Sequence, residues 1–283
     1  MEKGYAIITG ADGGMGIKIT HALARKGYPI IMACHNPASA FAICNRLKKT
    51  SGNDRIELRP LDLSSLASVE QFASRLLEQG VPVSRLINNA GILTTDKRQT
   101  VDGLETIVSV NYVGPYLLTR RLLSLMQPGA RIINTVSCTY AIGKIEPCFF
   151  QKGCSGTFRR IPAYANTKLA LLLFTKELAR RIGHKQITVN AADPGIVNTN
   201  MITMKAWFDP LTDVLFRPFI KTPAKGAATA IHLALSEEPA GKSGCCYAAC
   251  SERKLSRRFC QHPQQEVLWN TTEQLLLELG YSF

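Results

Sequence analysis

Short runs of apolar and β-branched residues alternate with longer segments of helical period along this chain. "YAIIT" (5–9) is an unbroken apolar run of strand length, and "GIKITHALARKG" (16–27) has helical spacing and closes on a glycine. The alternation recurs. "PIIMAC" (29–34) reads as a second strand, with a helix over 38–49. "RIELRPLDL" (55–63) reads as a third. It precedes the helix "SSLASVEQFASRLLEQG", which takes Ser64 or Ser65 as its cap and ends at Gly80. "SRLINNAG", "ARIINTVS" and "QITVNAADPG" predict strands four to six, and helices over 101–126 and 163–182 precede the last two. This order predicts an α/β architecture: a parallel sheet, doubly wound by crossover helices on both faces. Ligands then bind beyond the carboxyl ends of the strands.

Composition adds limits. Of 283 residues 46% are hydrophobic, enough for a packed core. No apolar run reaches the length of a membrane span, so no stable membrane insertion is expected. The first strand begins within a few residues of Met1, which leaves no room for a signal peptide; a cytoplasmic protein is expected. Nine cysteines, among them Cys245, Cys246, Cys250 and Cys260, show no repeated zinc-type pair, and no metal is expected. The formal charge of +13 is spread in short clusters without interleaved aromatics, which argues against nucleic acid and suits attraction of a polyanionic cofactor.

The first strand runs directly into "TGADGGMG", then into a helix. Gly10, Gly14 and Gly16 let the backbone turn tightly and approach a phosphate, and the helix start behind them offers free N–H groups. Asp12 and Met15 belong to the same turn. The second strand ends in "MACHNP", without the carboxylate that would bind adenosine ribose hydroxyls. His35 and Asn36 stand there instead, as contacts for a 2′-phosphate or as plain turn residues; NADP is the expected cofactor, with NAD the alternative. Asp62, with Leu63 beside it, ends strand three and is placed to accept the adenine amine, to cap the next loop, or both. Strand four ends in Asn89, Ala90 and Gly91, small enough for close approach to a cofactor.

Tyr-x-x-x-Lys occurs twice, as Tyr140 with Lys144 and as Tyr164 with Lys168. Gly143 and Pro147 break any helix around the first pair, which therefore reads as part of an active-site loop. Pro162 suits the first turn of a helix, and "AYANTKLALLLFTKELARRI" follows it, so Tyr164 and Lys168 share one face. A neighbouring ammonium lowers a tyrosine pKa, and a poised phenol exchanges a proton with an alcohol or carbonyl oxygen as hydride moves. Ser137, at the end of strand five, is placed to hold that oxygen.

Together, "TGADGGMG", "NNAG", Asn111 in "VNYVG", Ser137, "YANTK" and "DPGIVNT" resemble the short-chain dehydrogenase/reductase family. "MACHN", "IGKI" and the late "CCYAAC" and "LWNTTEQLL" resemble its retinol-dehydrogenase-like branch. The resemblance implies one Rossmann-fold domain over 1–283, with a mostly parallel seven-stranded sheet flanked by helices. It implies hydride transfer between a nicotinamide cofactor and an alcohol or carbonyl. Tyr164 would be general acid/base and Ser137 the oxygen anchor. Lys168 would bind the nicotinamide ribose and Asn111 would serve a proton relay. Pro194, Gly195, Val197 and Thr199 would line the nicotinamide end.

Two departures stand out. The branch usually carries arginine where His35 stands, and the gap from Ser137 to Tyr164 is about twice the family's usual one. The extra loop holds Phe149, Phe150 and Phe158, which would cover an apolar substrate, and 200–223 would form a substrate flap. No membrane anchor of the kind many eukaryotic members carry is expected, and helices 101–126 and 163–182 would offer a homo-oligomer face. A nucleotide sensor without catalysis is the first alternative; it has no need of Ser137, Tyr164 and Lys168. A sugar-nucleotide epimerase is the second; it needs a larger domain after strand six.

Overall fold

The structure, a computed structural model, describes residues 3–94, 98–146, 149–150, 160–197 and 221–283. The apolar runs become β1 (Tyr5–Thr9), β2 (Ile30–Cys34), β3 (Ile56–Pro60), β4 (Val83–Asn88), β5 (Met126–Thr135) and β6 (Thr188–Asp193). Two short strands follow, β7 (Cys246–Ala248) and β8 (Ser251–Glu252). They form one sheet in the order β3-β2-β1-β4-β5-β6-β7-β8. All neighbours are parallel except the β7–β8 pair. The eighth strand corrects the expected seven: two polar residues carry no apolar pattern, and only pairing with β7 makes them a strand.

Local chemistry sets the helix ends. Gly13 precedes α1 (Gly14–Arg25) without a side-chain cap, whereas Asn36 caps α2 (Pro37–Ser51) and Ser65 caps α3 (Leu66–Glu78). The single helix expected over 101–126 is broken up. It begins as α4 (Thr106–Val108), passes through a π-helical turn (Ser109–Val113), resumes as α5 (Gly114–Leu122) and yields to β5 at Met126. α6 (Arg160–Arg181) holds Pro162 in its first turn, as expected. α7 (Pro223–Leu235) is capped by Thr222; α8 (Arg257–Cys260) and α9 (Gln264–Glu278) end the chain.

A core lies on each face of the sheet. One packs α1, α2 and α7 onto it, and the other α3, α5, α6 and α9. α6 is buried nearly all round because α9 covers its outer side. Trp269 stacks on Phe174, Arg120 pairs with Glu273, and Gln265 donates to Glu177 at 2.9 Å. The α5–α6 surface expected to serve an oligomer is thus covered by the chain's own last helix.

Phe149 and Phe150 are also core residues. Each is 8% exposed, and their rings lie 5.7 and 6.2 Å from that of Tyr112. Burial of a phenylalanine stabilises by roughly 1.5–3 kcal/mol, so these two fasten the loop into the core and do not form its substrate cover. Phe158 lies outside the described residues. Tyr140, 3% exposed, likewise packs edge-on against Phe259 and anchors the turn after Ser137 in the core.

Candidate active site

A cleft of about 770 Å³ opens at the carboxyl ends of β1, β2, β3 and β4. Gly10, Asp12, Gly14, Met15, Gly16, His35, Asp62, Leu63, Asn89, Ala90 and Gly91 line it. The turn after β1 admits no bulk: a Cβ on Gly16 would fall 2.1 Å from the Gly10 carbonyl oxygen. α1 has neither a capping side chain nor an acidic residue in its first turn, so its leading N–H groups are left to the cleft. This donor set fits a dinucleotide's phosphates.

Thr9, which the sequence reading passed over, ties this turn to β4. Its hydroxyl accepts the N–H groups of Asn89 and Ala90, each at 3.0 Å, and the Asn89 amide donates to Thr9 and Gly10 carbonyls. Asn89 therefore shapes the wall through its side chain.

At the adenosine edge, Asp62 Oδ1 accepts from the Ser64 N–H (2.8 Å) and hydroxyl (2.6 Å) and lies 3.6 Å from His35 Nδ1. The loop cap and the cleft wall coexist in Asp62. The side chain of His35 is 74% exposed at the rim. Asn36 is not part of the cleft wall: its Oδ1 accepts the Ser39 N–H at 3.3 Å and is spent on capping α2.

The second cluster adjoins the Gly91 end. Lys168, 2% exposed, donates to the Thr135 carbonyl at 2.9 Å, and its Nζ lies 5.4 Å from the centre of the Tyr164 ring. The same Nζ and Asn111 Oδ1 each lie 3.4 Å from where a Gly91 side chain would begin. Asn111, carried by the π turn, is locked by bonds to the Ile92 N–H and carbonyl and by donation to Thr167 Oγ1. Burial brings the Lys168 ammonium down to about 8. It also pushes the Tyr164 phenol up to about 12, against an opposing hydrogen bond from Ser137. The direction is opposite to the lowered phenol expected from the Tyr–Lys spacing: desolvation outweighs the Ser137 hydrogen bond.

After β6, Gly195 is held by the Asp193 carboxylate (2.9 Å), and Pro194 and Val197 are buried. Val197 and Met15 pack against the same glycine of α7, Gly226. Thr199 and most of the expected flap lie outside the described residues; Lys221 pairs with Val197, and Thr222 and Pro223 start α7. Pro223, the last residue of the expected flap, reaches the cleft. Lys144 donates its backbone N–H to Asn166 (2.8 Å), on the helix of the second pair. Among the described residues, no three His, Cys, Asp or Glu are grouped to hold a metal, and no helix is long and apolar enough to cross a membrane.

A glycine turn at the uncapped start of a helix, on the open edge of a parallel doubly wound sheet, defines a nucleotide-binding protein of Rossmann type. Comparison with known proteins narrows this. A family model described as enoyl-(acyl carrier protein) reductase matches residues 10–234. Mouse retinol dehydrogenase 12 is 35% identical over 272 residues, covering 95% of this chain and 85% of its own. Human polyprenol dehydrogenase is 34% identical, with coverages of 94% and 82%. An uncharacterized protein from Mycobacterium paratuberculosis superposes with a TM-score of 0.77 at 28% identity, covering 97% of this chain and 93% of its own. A metagenomic blue fluorescent protein in complex with NADPH does so with a TM-score of 0.69 at 27% identity, covering 87% and 96%. The chain belongs to the short-chain dehydrogenase/reductase family, in its retinol-dehydrogenase-like branch, and is an NAD(P)-dependent oxidoreductase.

Proposed function

We propose that this enzyme transfers hydride between NADP(H) and an apolar alcohol or carbonyl compound, with Tyr164 as general acid/base. The observation that carries the reading is the buried Lys168 ammonium, set between the Tyr164 ring and Gly91 at the end of the cleft. When bound, the cofactor supplies or accepts the hydride and, oxidised, brings a positive charge. Ser137 holds the substrate oxygen beside the phenol. A phenol near 12 is protonated at neutral pH and serves as the proton donor when a carbonyl is reduced. Lys168 holds the nicotinamide ribose, and Asn111, fixed on Ile92, supports proton relay behind it. Gly10, Gly14 and Gly16 receive the phosphates, Asp62 the adenine, and Pro194, Gly195 and Val197 the nicotinamide end.

The preference for NADP rests on His35, at a rim that offers no carboxylate on β2. An apolar substrate is supported by Ile142, Ile161 and Ile196. They are 64%, 49% and 46% exposed, and lie after Ser137, at the start of α6 and after β6. The names of the retinol and polyprenol dehydrogenases point to substrates of that kind for those relatives.

The test is hydride transfer with NADPH and NADH across short and long-chain aldehydes, retinal among them, for the natural chain, Tyr164→Phe and His35→Asp. Tyr164→Phe is expected to lose activity by about 10²–10⁴-fold while staying folded, and His35→Asp to shift the preference toward NADH. Unchanged turnover in Tyr164→Phe, or higher efficiency with NADH in the natural chain, refutes the corresponding part.

A further inference from the structure

We propose that Arg253 is a positioning residue for this reaction: through Asp193 it sets the turn at Gly195 and screens a carboxylate charge from Tyr164. The proposal rests on the reading of Tyr164 as the proton-transfer group.

Asp193 is the last residue of β6 and only 2% exposed. A carboxylate so buried needs partners. Oδ1 accepts the Gly195 N–H at 2.9 Å, and Oδ2 accepts from Arg253 Nη1 at 3.2 Å. The turn it holds is one that only glycine suits. Gly195 has φ +72°, and a Cβ there would lie 2.9 Å from Lys221 Nζ.

Arg253 arrives from far along the chain by way of a strained hairpin. Pairing of Ala248 with Ser251 leaves a two-residue turn of Ala249 and Cys250, with φ of 50° and 61°. Both values lie in the left-handed region, where Asn-Gly is the usual choice. Surrounding bonds hold it there: Cys250 N–H donates to Thr229 Oγ1 at 3.3 Å, and Arg253 N–H to the Cys246 carbonyl at 2.7 Å. Strain of this kind persists where neighbours over-determine it, and here it folds Arg253 back over the end of β6. The guanidinium also lies 5.9 Å from the Tyr140 ring, in the turn that follows Ser137. One side chain thus bridges the two segments flanking Tyr164.

The groups facing Tyr164 are the Ser137 hydroxyl, the Cys138 thiol, the Asp193 carboxylate and the Lys168 ammonium. Those facing Asp193 are Arg253, Tyr140 and Cys246. Among the neighbours of Tyr164, the Asp193 charge opposes phenolate formation. A cation paired to it offsets that opposition.

The experiment uses the full chain with NADP⁺ and retinol. It compares Arg253→Gln, Arg253→Lys, Asp193→Asn with Arg253→Gln, and Tyr164→Phe, recording the pH profile of kcat/KM and the KM for NADP⁺. Alcohol oxidation needs phenolate, which the positive charge of NADP⁺ favours, so in the assay the rate climbs with pH along a limb set by Tyr164. Arg253→Gln is expected to move that limb to higher pH by about half a unit or more and to raise the cofactor KM about tenfold. Arg253→Lys keeps the charge and leaves the limb near its natural position. The double variant returns the limb as well, since asparagine is uncharged and still accepts the Gly195 N–H; these two variants carry the test if Arg253→Gln does not fold. A limb that Tyr164→Phe removes but Arg253→Gln leaves in place, with KM unchanged, overturns the proposal. A limb that survives Tyr164→Phe overturns the reading of Tyr164 and the screening role with it, and the KM comparison then decides the turn alone.

Discussion

Replacing Lys168 by methionine is expected to make the protein more stable and nearly inactive. Lys168 is 2% exposed, and burial lowers its ammonium from 10.5 to about 8. A displacement of that size corresponds to about 3 kcal/mol of unfavourable charge burial in the folded state. Methionine has similar length and no charge, so the variant escapes this cost. It also leaves the Thr135 carbonyl without its donor, which costs about 1 kcal/mol. The net expectation is a gain of about 2 kcal/mol at pH 7, or a melting temperature higher by about 3–6 °C. The sign and the pH window follow from the direction of the displacement. Below pH 8 the lysine is charged in both states and the cost is complete. Between 8 and 10.5 the unfolded chain binds more protons than the folded one, so the natural protein gains stability as pH rises and the gap closes. Denaturant unfolding of the cofactor-free protein at pH 7, 8, 9 and 10 measures it, alongside turnover, which should fall by about 10² or more. A variant less stable than the natural protein at pH 7, or a gap flat across that window, refutes the reasoning.

Two further substitutions follow from backbone geometry. Gly16→Ala would place a methyl 2.1 Å from the Gly10 carbonyl oxygen. It is expected to cost about 1–3 kcal/mol of stability and to weaken NADPH binding about tenfold or more in a fluorescence titration; an unchanged titration contradicts this use of the turn. Ala249→Asn combined with Cys250→Gly relieves the left-handed strain at φ 50° and 61°. It should raise unfolding stability by about 1 kcal/mol, and equal or lower stability contradicts the strain.

The phosphate turn and the Tyr164–Lys168 pair were legible in the sequence because each depends on neighbours within one element. A glycine cluster between a strand and a helix dictates its own backbone, and residues four apart on a helix share a face wherever that helix packs. Ser65, Asn36 and Pro162 act at helix starts for the same local reason. Phe149 and Phe150 were misread because an apolar side chain in a loop suits a core as well as a substrate. The presence of Tyr112 beneath them decides which.

What lies between remote segments belongs to the tertiary structure. Thr9 meets Asn89 and Ala90 across adjacent strands, Pro223 joins the cleft from α7, and α9 covers the face of α5 and α6. Arg253 finds Asp193 only because a strained hairpin turns the chain back. The protonation of Tyr164 shows the division most clearly. The spacing of Tyr164 and Lys168 places a cation beside a phenol and predicts a lowered pKa. The fold buries Lys168 and half-buries Tyr164, and desolvation, which depends on everything packed around them, moves the phenol the other way. The sequence by itself determined the class of fold and which side chains share a helix face. The tertiary structure decided how much water each retains, and therefore in which direction each pKa moves.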